Sequence, residues 1–297
     1  MHRERSKLAI LLLAVLLSSS CAKARLNYFK QFSQAGVAYS DAVGQLLDDA
    51  GTAAIDTDSM VLDKVRPALS SDDRSSTIIE HNQLLRDRLT LLGDIKRHAR
   101  LLRSYFKALG TLAESNAPSG IGTAAEGVVN AMGRLHPRIK NAEVGELPVS
   151  SFVGSVATIV VAHFKVAALE KELKARAPTI ERELDLQQAA LSVIAEQLRT
   201  DLQAQLQQQE SKAVVLPYVR DEPLPGNWAA RRRGALRAHV SLASVDAAAD
   251  AAGKLKIAFV SLSQGQYELV DVPALIDGIN EIITLMEKVK GEATEPK

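Results

Sequence analysis

The sequence predicts an all-α protein, an elongated antiparallel bundle of about five long helices with coiled-coil-like heptad seams. Three observations point there. Ala, Leu, Gln, Glu, Lys and Arg, the strong helix formers, fill the chain, while Phe, Tyr and Trp make up only 4% of its 297 residues. Alternating β-branched and aromatic runs between tight turns, the mark of strands, are almost absent. The nearest, Val214-Val215-Leu216 before Pro217, is too short to build a sheet. Finally, apolar residues recur at steps of three and four over stretches longer than a compact domain needs.

The first helix is expected from near Leu26 to a point between Ala54 and Pro67. Its seam is Phe29, Phe32, Gly36, Tyr39, Val43, Leu46, Ala50 and Ala53, with steps of 3, 4, 3, 4, 3, 4 and 3. Small residues in that seam let a neighbouring helix come close. The polar run Ser70–Ser76 reads as a turn. The second helix is expected over Thr77–Glu114, with Ile78, Leu85, Leu92, Ile95, Ala99, Leu102, Phe106, Leu109 and Ala113 on its apolar face. At 1.5 Å per residue it would be about 57 Å long, which suits a rod.

Ser115–Gly120 breaks the pattern, a short helix over Thr123–Arg134 follows, and Pro137, Gly145 and Pro148 punctuate what remains. A third long helix is expected over Val149–Arg176. A fourth starts at Pro178, a residue favoured in a first helical turn, with Glu181 and Glu183 near its positive end. It continues through Leu184, Leu191, Ile194, Leu198, Leu202 and Leu206. Leu216–Gly226 holds three prolines and a glycine and is read as an ordered non-helical crossing. A fifth helix is expected over Trp228–Gln264 and a last one from Asp271, as its cap, to about Lys290.

The N-terminus carries a different signal. Arg3, Arg5 and Lys7 precede an unbroken apolar run, Leu8–Leu17, and then Ser18, Ser19, Ser20 and Cys21, the one cysteine of the chain. A positive start, an apolar stretch and small residues form the order of an export signal. Leu17-Ser18-Ser19-Ser20-Cys21 resembles the lipobox of bacterial lipoproteins, with leucine four rather than three places before the cysteine. The resemblance covers the first twenty-one residues. It implies cleavage before Cys21, acylation of Cys21 and anchoring in a membrane. Ala22, being other than Asp, implies the outer membrane, with the protein facing the periplasm. The organisation expected is a signal peptide over 1–20, a lipidated linker over 21–25, one helical-bundle domain over 26–290 and a frayed tail over 291–297. Leu8–Leu17 falls short of the roughly 20 residues of a spanning helix.

The composition excludes several classes. A single cysteine rules out a disulfide scaffold. The chain holds 36 Lys and Arg against 35 Asp and Glu. Without the three basic residues and one acidic residue of the signal, it stands at a formal charge of −1. No global field favours nucleic acid, and none is expected as a partner.

Catalytic patterns are equally scarce. His81, His98, His136, His163 and His239 form no HExxH or other metal-ligating spacing, so no metal and no cofactor is expected. Asp48-Asp49 and Asp72-Asp73 are adjacent in sequence and read as solvated or turn charges. Gly154-Ser155 lacks the second glycine and the strand of a nucleophile elbow. Gly120-Ile121-Gly122 follows no strand and has no P-loop lysine. No enzyme is expected.

Two segments stand out. Val149–Ala162 carries no charge over fourteen residues. Its setting, between long helices and beside a glycine-rich stretch, loosely resembles the apolar hairpin of helical pore-forming toxins. That resemblance implies a membrane-active protein as the alternative, set against burial on all sides within the bundle. The second is Trp228 with Arg231, Arg232, Arg233 and Arg237, a candidate contact for an anionic surface or an acidic partner, set against a solvated helix start with Trp228 covering the core. The reading favoured from sequence is a non-enzymatic, lipid-anchored envelope protein that acts as a helical spacer, scaffold or protein-binding module. Its expected contacts are the membrane through Cys21 and an envelope protein.

Overall fold

A computed structural model describes residues 2–114, 165–241 and 246–293, with side chains placed at 24–114, 169–236 and 246–284. Helix α1 spans His2–Val65, α2 Ser71–Glu114, α3 Lys165–Glu210, α4 Leu216–Val219, α5 Trp228–Ser241, α6 Ala247–Ser263 and α7 Val272–Ala293. Among the described residues there is no strand, and the chain is all-α as its composition predicts.

Ion pairs fix the directions of the helices. Asp41 meets Arg103, Asp48 meets Lys96 and Asp58 meets His81, so α2 returns antiparallel along α1. Tyr39 bonds Gln187 and Thr57 bonds the backbone of Asp201, so α3 runs parallel to α1 and antiparallel to α2. Lys256 pairs with Asp185 and Arg199 with Asp246, so α6 runs back along α3. Helix α7 reverses again and packs on α1 and α6.

Local chemistry makes these reversals. The hairpin between α1 and α2 closes at Ser70. Its hydroxyl accepts the Asp73 N–H at 3.2 Å and donates to the Asp73 carboxylate at 2.5 Å, a reciprocal cap. The run Ser71–Ser76, expected as a turn, is therefore the first part of α2. At the end of α6, Gly265 takes a φ of +76°, Gln266 N–H reaches Ser261 O at 2.8 Å and Gly265 N–H reaches Leu262 O at 3.1 Å. This pair of bonds satisfies carbonyls the helix would otherwise orphan and turns the chain sharply. Asp271 caps α7, as expected, by accepting the Ala274 N–H at 3.0 Å.

Every position of the α1 seam from Phe29 to Ala53 is buried. The α2 seam is buried from Leu92 to Ala113, but Leu85 is only partly covered and Ile78 is exposed. All described Phe side chains and four of the five Tyr lie at or near the level of residues 28–39 of α1. Phe32 meets Phe106 edge-on at 5.5 Å and Phe259 at 6.2 Å, and Phe29 meets Tyr267 edge-on at 5.8 Å. Such contacts add to the burial of large apolar surface.

Several expected boundaries are wrong. Pro178 does not start a helix; it lies inside α3. The proline removes one donor, but Pro178 and Lys174, whose carbonyl loses that donor, both face solvent. Leu173, Ile180 and Leu184 continue the buried stripe across it. The segment Trp228–Gln264 is not one helix but two, α5 and α6, which pack in different places. Val214 and Val215 continue α3 as a π-helical turn, and Leu216–Val219 forms α4, so only the rest of the proline-rich crossing is non-helical. Helix α1 begins upstream of Leu26, at His2, since residues 2–25 contain no helix breaker. Val149–Ala162 lies outside the described residues.

Candidate functional site

Polar side chains of α3 enter the bundle in pairs four residues apart, and two of these pairs reach both α1 and α2. Glu183 carboxylate Oε2 lies 2.8 Å from His98 Nδ1 on α2, while Gln187 Oε1 accepts the Tyr39 hydroxyl of α1 at 2.9 Å. Gln187 Nε2 then donates to Glu183 Oε1 at 3.1 Å, which closes a four-residue chain buried across three helices. Further along, Asp201 binds Arg88 of α2, and Gln205 donates to Thr57 Oγ1 and Ala53 O of α1, both at 3.1 Å. In both pairs the first residue meets α2 and the second meets α1. Heptad packing alone permits slippage by a whole repeat, and buried polar partners that find each other in one register remove that freedom.

A third pair, Glu172 and Arg176, is also buried, with Arg176 Nε donating to Glu172 Oε1 at 3.2 Å. Desolvation raises the Glu172 carboxyl above its ordinary range, and Arg176 opposes that shift. Burial also raises the phenols of Tyr39 and Tyr105, to which Glu183 and Glu172 respectively add negative charge. Tyr39, Gln187, Glu183 and His98 hydrogen-bond to one another in a chain, as Arg176 does to Glu172. Among the described residues no cluster of His, Cys, Asp and Glu could hold a metal.

The network was missed in the sequence for identifiable reasons. Glu183 reads as a first-turn acid only if Pro178 starts a helix; in α3 it is central and fully buried. His98 carried a signal, because it falls three residues after Ile95 and four before Leu102, on the apolar stripe. Asp72 and Asp73 are exposed, and Asp73 serves the cap; Asp48 is exposed and held by Lys96 at 2.5 Å.

The second grouping lies just beyond the C-terminal end of α3. Trp228 donates its indole N–H to Val214 O at 3.0 Å, which ties α5 to the turn after α3. Tyr218 stacks on Trp228 at 5.7 Å, and the Arg232 guanidinium lies 5.9 Å from the indole centroid. Arg231 and Arg233 are exposed, and no described residue pairs with Arg231, Arg232 or Arg233. On a helix Arg231 and Arg232 flank Trp228, whereas Arg233 points well away from it. Of the arginines singled out here, Arg232 contacts Trp228, Arg231 lies on the same side of the helix, and Arg233 does not. Arg237 is on α5, with its side chain outside the described ones. Cys21 lies within α1, also with its side chain outside the described ones.

Among the described residues, no helix is long and apolar enough to cross a membrane. No protein-family model, no curated protein and no solved structure matches the chain.

Proposed function

We propose that this chain is a non-enzymatic, lipid-anchored protein of the bacterial envelope, acting as a helical spacer or scaffold that docks other proteins. The observation that carries the reading is Cys21, a lone cysteine after Leu8–Leu17 and three serines, within a helix that continues to Val65. From Ala24 to Val65 that helix is about 60 Å long at 1.5 Å per residue, so an anchor at Cys21 would hold its far end well away from the membrane. Two acyl chains would make such an anchor stable, where one would be marginal.

The interior supports a scaffold over a catalyst. A catalytic pocket needs polar groups that converge on open space. Glu183, Gln187, Asp201 and Gln205 of α3 instead engage α1 and α2, and they hold helix register. The groove between α1 and α2 at Leu47, Gly51 and Leu92 has Asp48 and Lys96 on its rim, and these two pair with each other.

Metabolic labelling with a fatty acid tests the anchor. The expected result is a labelled protein that loses its label in Cys21→Ser; an unlabelled wild type would remove the basis of the reading. Crosslinking in the intact envelope tests the scaffold. Specific protein adducts are expected, and their absence would count against docking while leaving the anchor intact.

A further inference from the structure

One of the chain's basic stretches surrounds α5. Residues 211–241 hold six Lys and Arg against two carboxylates, Asp221 and Glu222, although the whole chain has a net charge of only +1. Helix α5 contains arginines and no acidic residue, unlike the other described helices of eight residues or more, which mix both signs. Its arginines follow its N-terminus, where they oppose the helix dipole with no acidic first-turn residue to offset them.

Helix α5 also has little cover. Of its side chains from Trp228 to Leu236, only Trp228 and Ala235 are even partly covered. Beside it stand Tyr218 at 68% exposure and Val219 at 71%, the most exposed large hydrophobic residues among those described. The stack of Tyr218 on Trp228, with Arg232 over the indole, makes one continuous surface of an apolar knuckle edged by guanidinium groups.

We infer that Tyr218, Val219, Trp228, Arg231 and Arg232 form a docking surface for an anionic phospholipid bilayer. The charge complementarity is direct, because unpaired guanidinium groups bind phosphates bidentately. The apolar component suits a bilayer as well. Tyr and Trp favour the headgroup level, and Val219 can enter the acyl boundary beside them. An acidic protein segment would use the same arginines but gives no particular reason for leaving a bare valine and tyrosine beside them. The surface does not depend on acylation of Cys21. Taken with the anchor proposed there, which is a separate claim, it gives the rod a lipid contact at each end.

The test uses the full chain carrying Cys21→Ser, so that acylation plays no part, and co-sedimentation with phosphatidylcholine vesicles with and without phosphatidylglycerol. The parent chain should prefer the anionic vesicles, and added salt should weaken that preference. Arg231→Gln with Arg232→Gln should lower partitioning into anionic vesicles at least about tenfold, since each basic residue near such a surface contributes on the order of 1 kcal/mol. Arg233→Gln should have a smaller effect, and Val219→Asp should weaken binding with all arginines present. These residues are exposed or partly covered, and unchanged helicity by circular dichroism would show that the variants fold. Equal partitioning of the parent and the double arginine variant would overturn the proposal, as would binding indifferent to lipid charge. Unchanged lipid binding with loss of an envelope-protein crosslink would overturn it in favour of an acidic protein partner.

Discussion

The two halves of the α1–α2 hairpin follow the same sequence pattern but have different surroundings. From Phe29 to Ala54, α1 is enclosed by α2, α3, α6 and α7, and its seam is buried throughout. Towards Val65 the bundle tapers. Helix α6 starts at Ala247, where the preceding Asp246 pairs with Arg199 of α3, so it covers only part of α3. Beyond that level Ile55, Val61, Ile78, Ile79 and Leu84 are exposed. Polar ties take over there, with His81 on Asp58 at 2.6 Å, Arg88 on Asp201 and Gln205 on Thr57. A heptad stripe marks a face able to pack; how many neighbours cover that face depends on the lengths of other helices.

The largest expected difference is between Phe32→Ala and Ile79→Ala. Phe32 is fully buried against Phe106 and Phe259, and its truncation should cost about 3–5 kcal/mol in denaturant unfolding. Ile79 is 61% exposed, and its truncation should stay within about 0.5 kcal/mol. Similar losses at the two sites would mean that the tapered end is covered.

The polar ties should differ in the same direction. Glu183→Leu strands His98 and Gln187 in the core and should cost about 3 kcal/mol. Asp58→Ala breaks a partly exposed pair and should cost under about 1 kcal/mol. Urea midpoints of the two variants would check this.

Two glycines of α1 give a finer contrast. A Cβ at Gly36 would lie 2.5 Å from the Phe106 ring, which is locked against Phe32, so Gly36→Ala should destabilise by about 1–3 kcal/mol. A Cβ at Gly44 meets nothing within 4 Å, and Gly44→Ala should stabilise by about 0.5–1 kcal/mol through helix propensity. Thermal melts of both variants should move in opposite directions.

The smallest effect concerns pH. Burial raises the Glu172 carboxyl, so the folded protein takes up this proton at a higher pH than the unfolded chain does. Its contribution is lost as pH rises through the folded value and is fully present below the unfolded one. The stability of wild type relative to Glu172→Gln should therefore improve as pH falls from neutrality towards about 4.5. A flat difference across that range would show that Arg176 cancels the cost of burial.

Much of the architecture was legible because periodicity is a local property. The α1 seam and the Asp271 cap can be read from neighbouring residues alone, and both hold. Pro178 misled because proline suits both a first turn and an exposed site within a long helix, and only packing decides between them. The pairing of Glu183 with His98 joins residues 85 positions apart, beyond any local pattern. The Trp228 grouping was visible in outline through its run of arginines, whereas the stack on Tyr218 that completes it requires α4 and the crossing to fold back.

Hydrogen exchange along α1 and α2 tests the tapered bundle most directly. Amides from Phe29 to Ala54 and from Leu92 to Ala113 should exchange only through near-global unfolding, and those from Asp58 to Val65 and Thr77 to Leu84 at least about tenfold faster through local opening. Uniform protection along both helices would contradict the account.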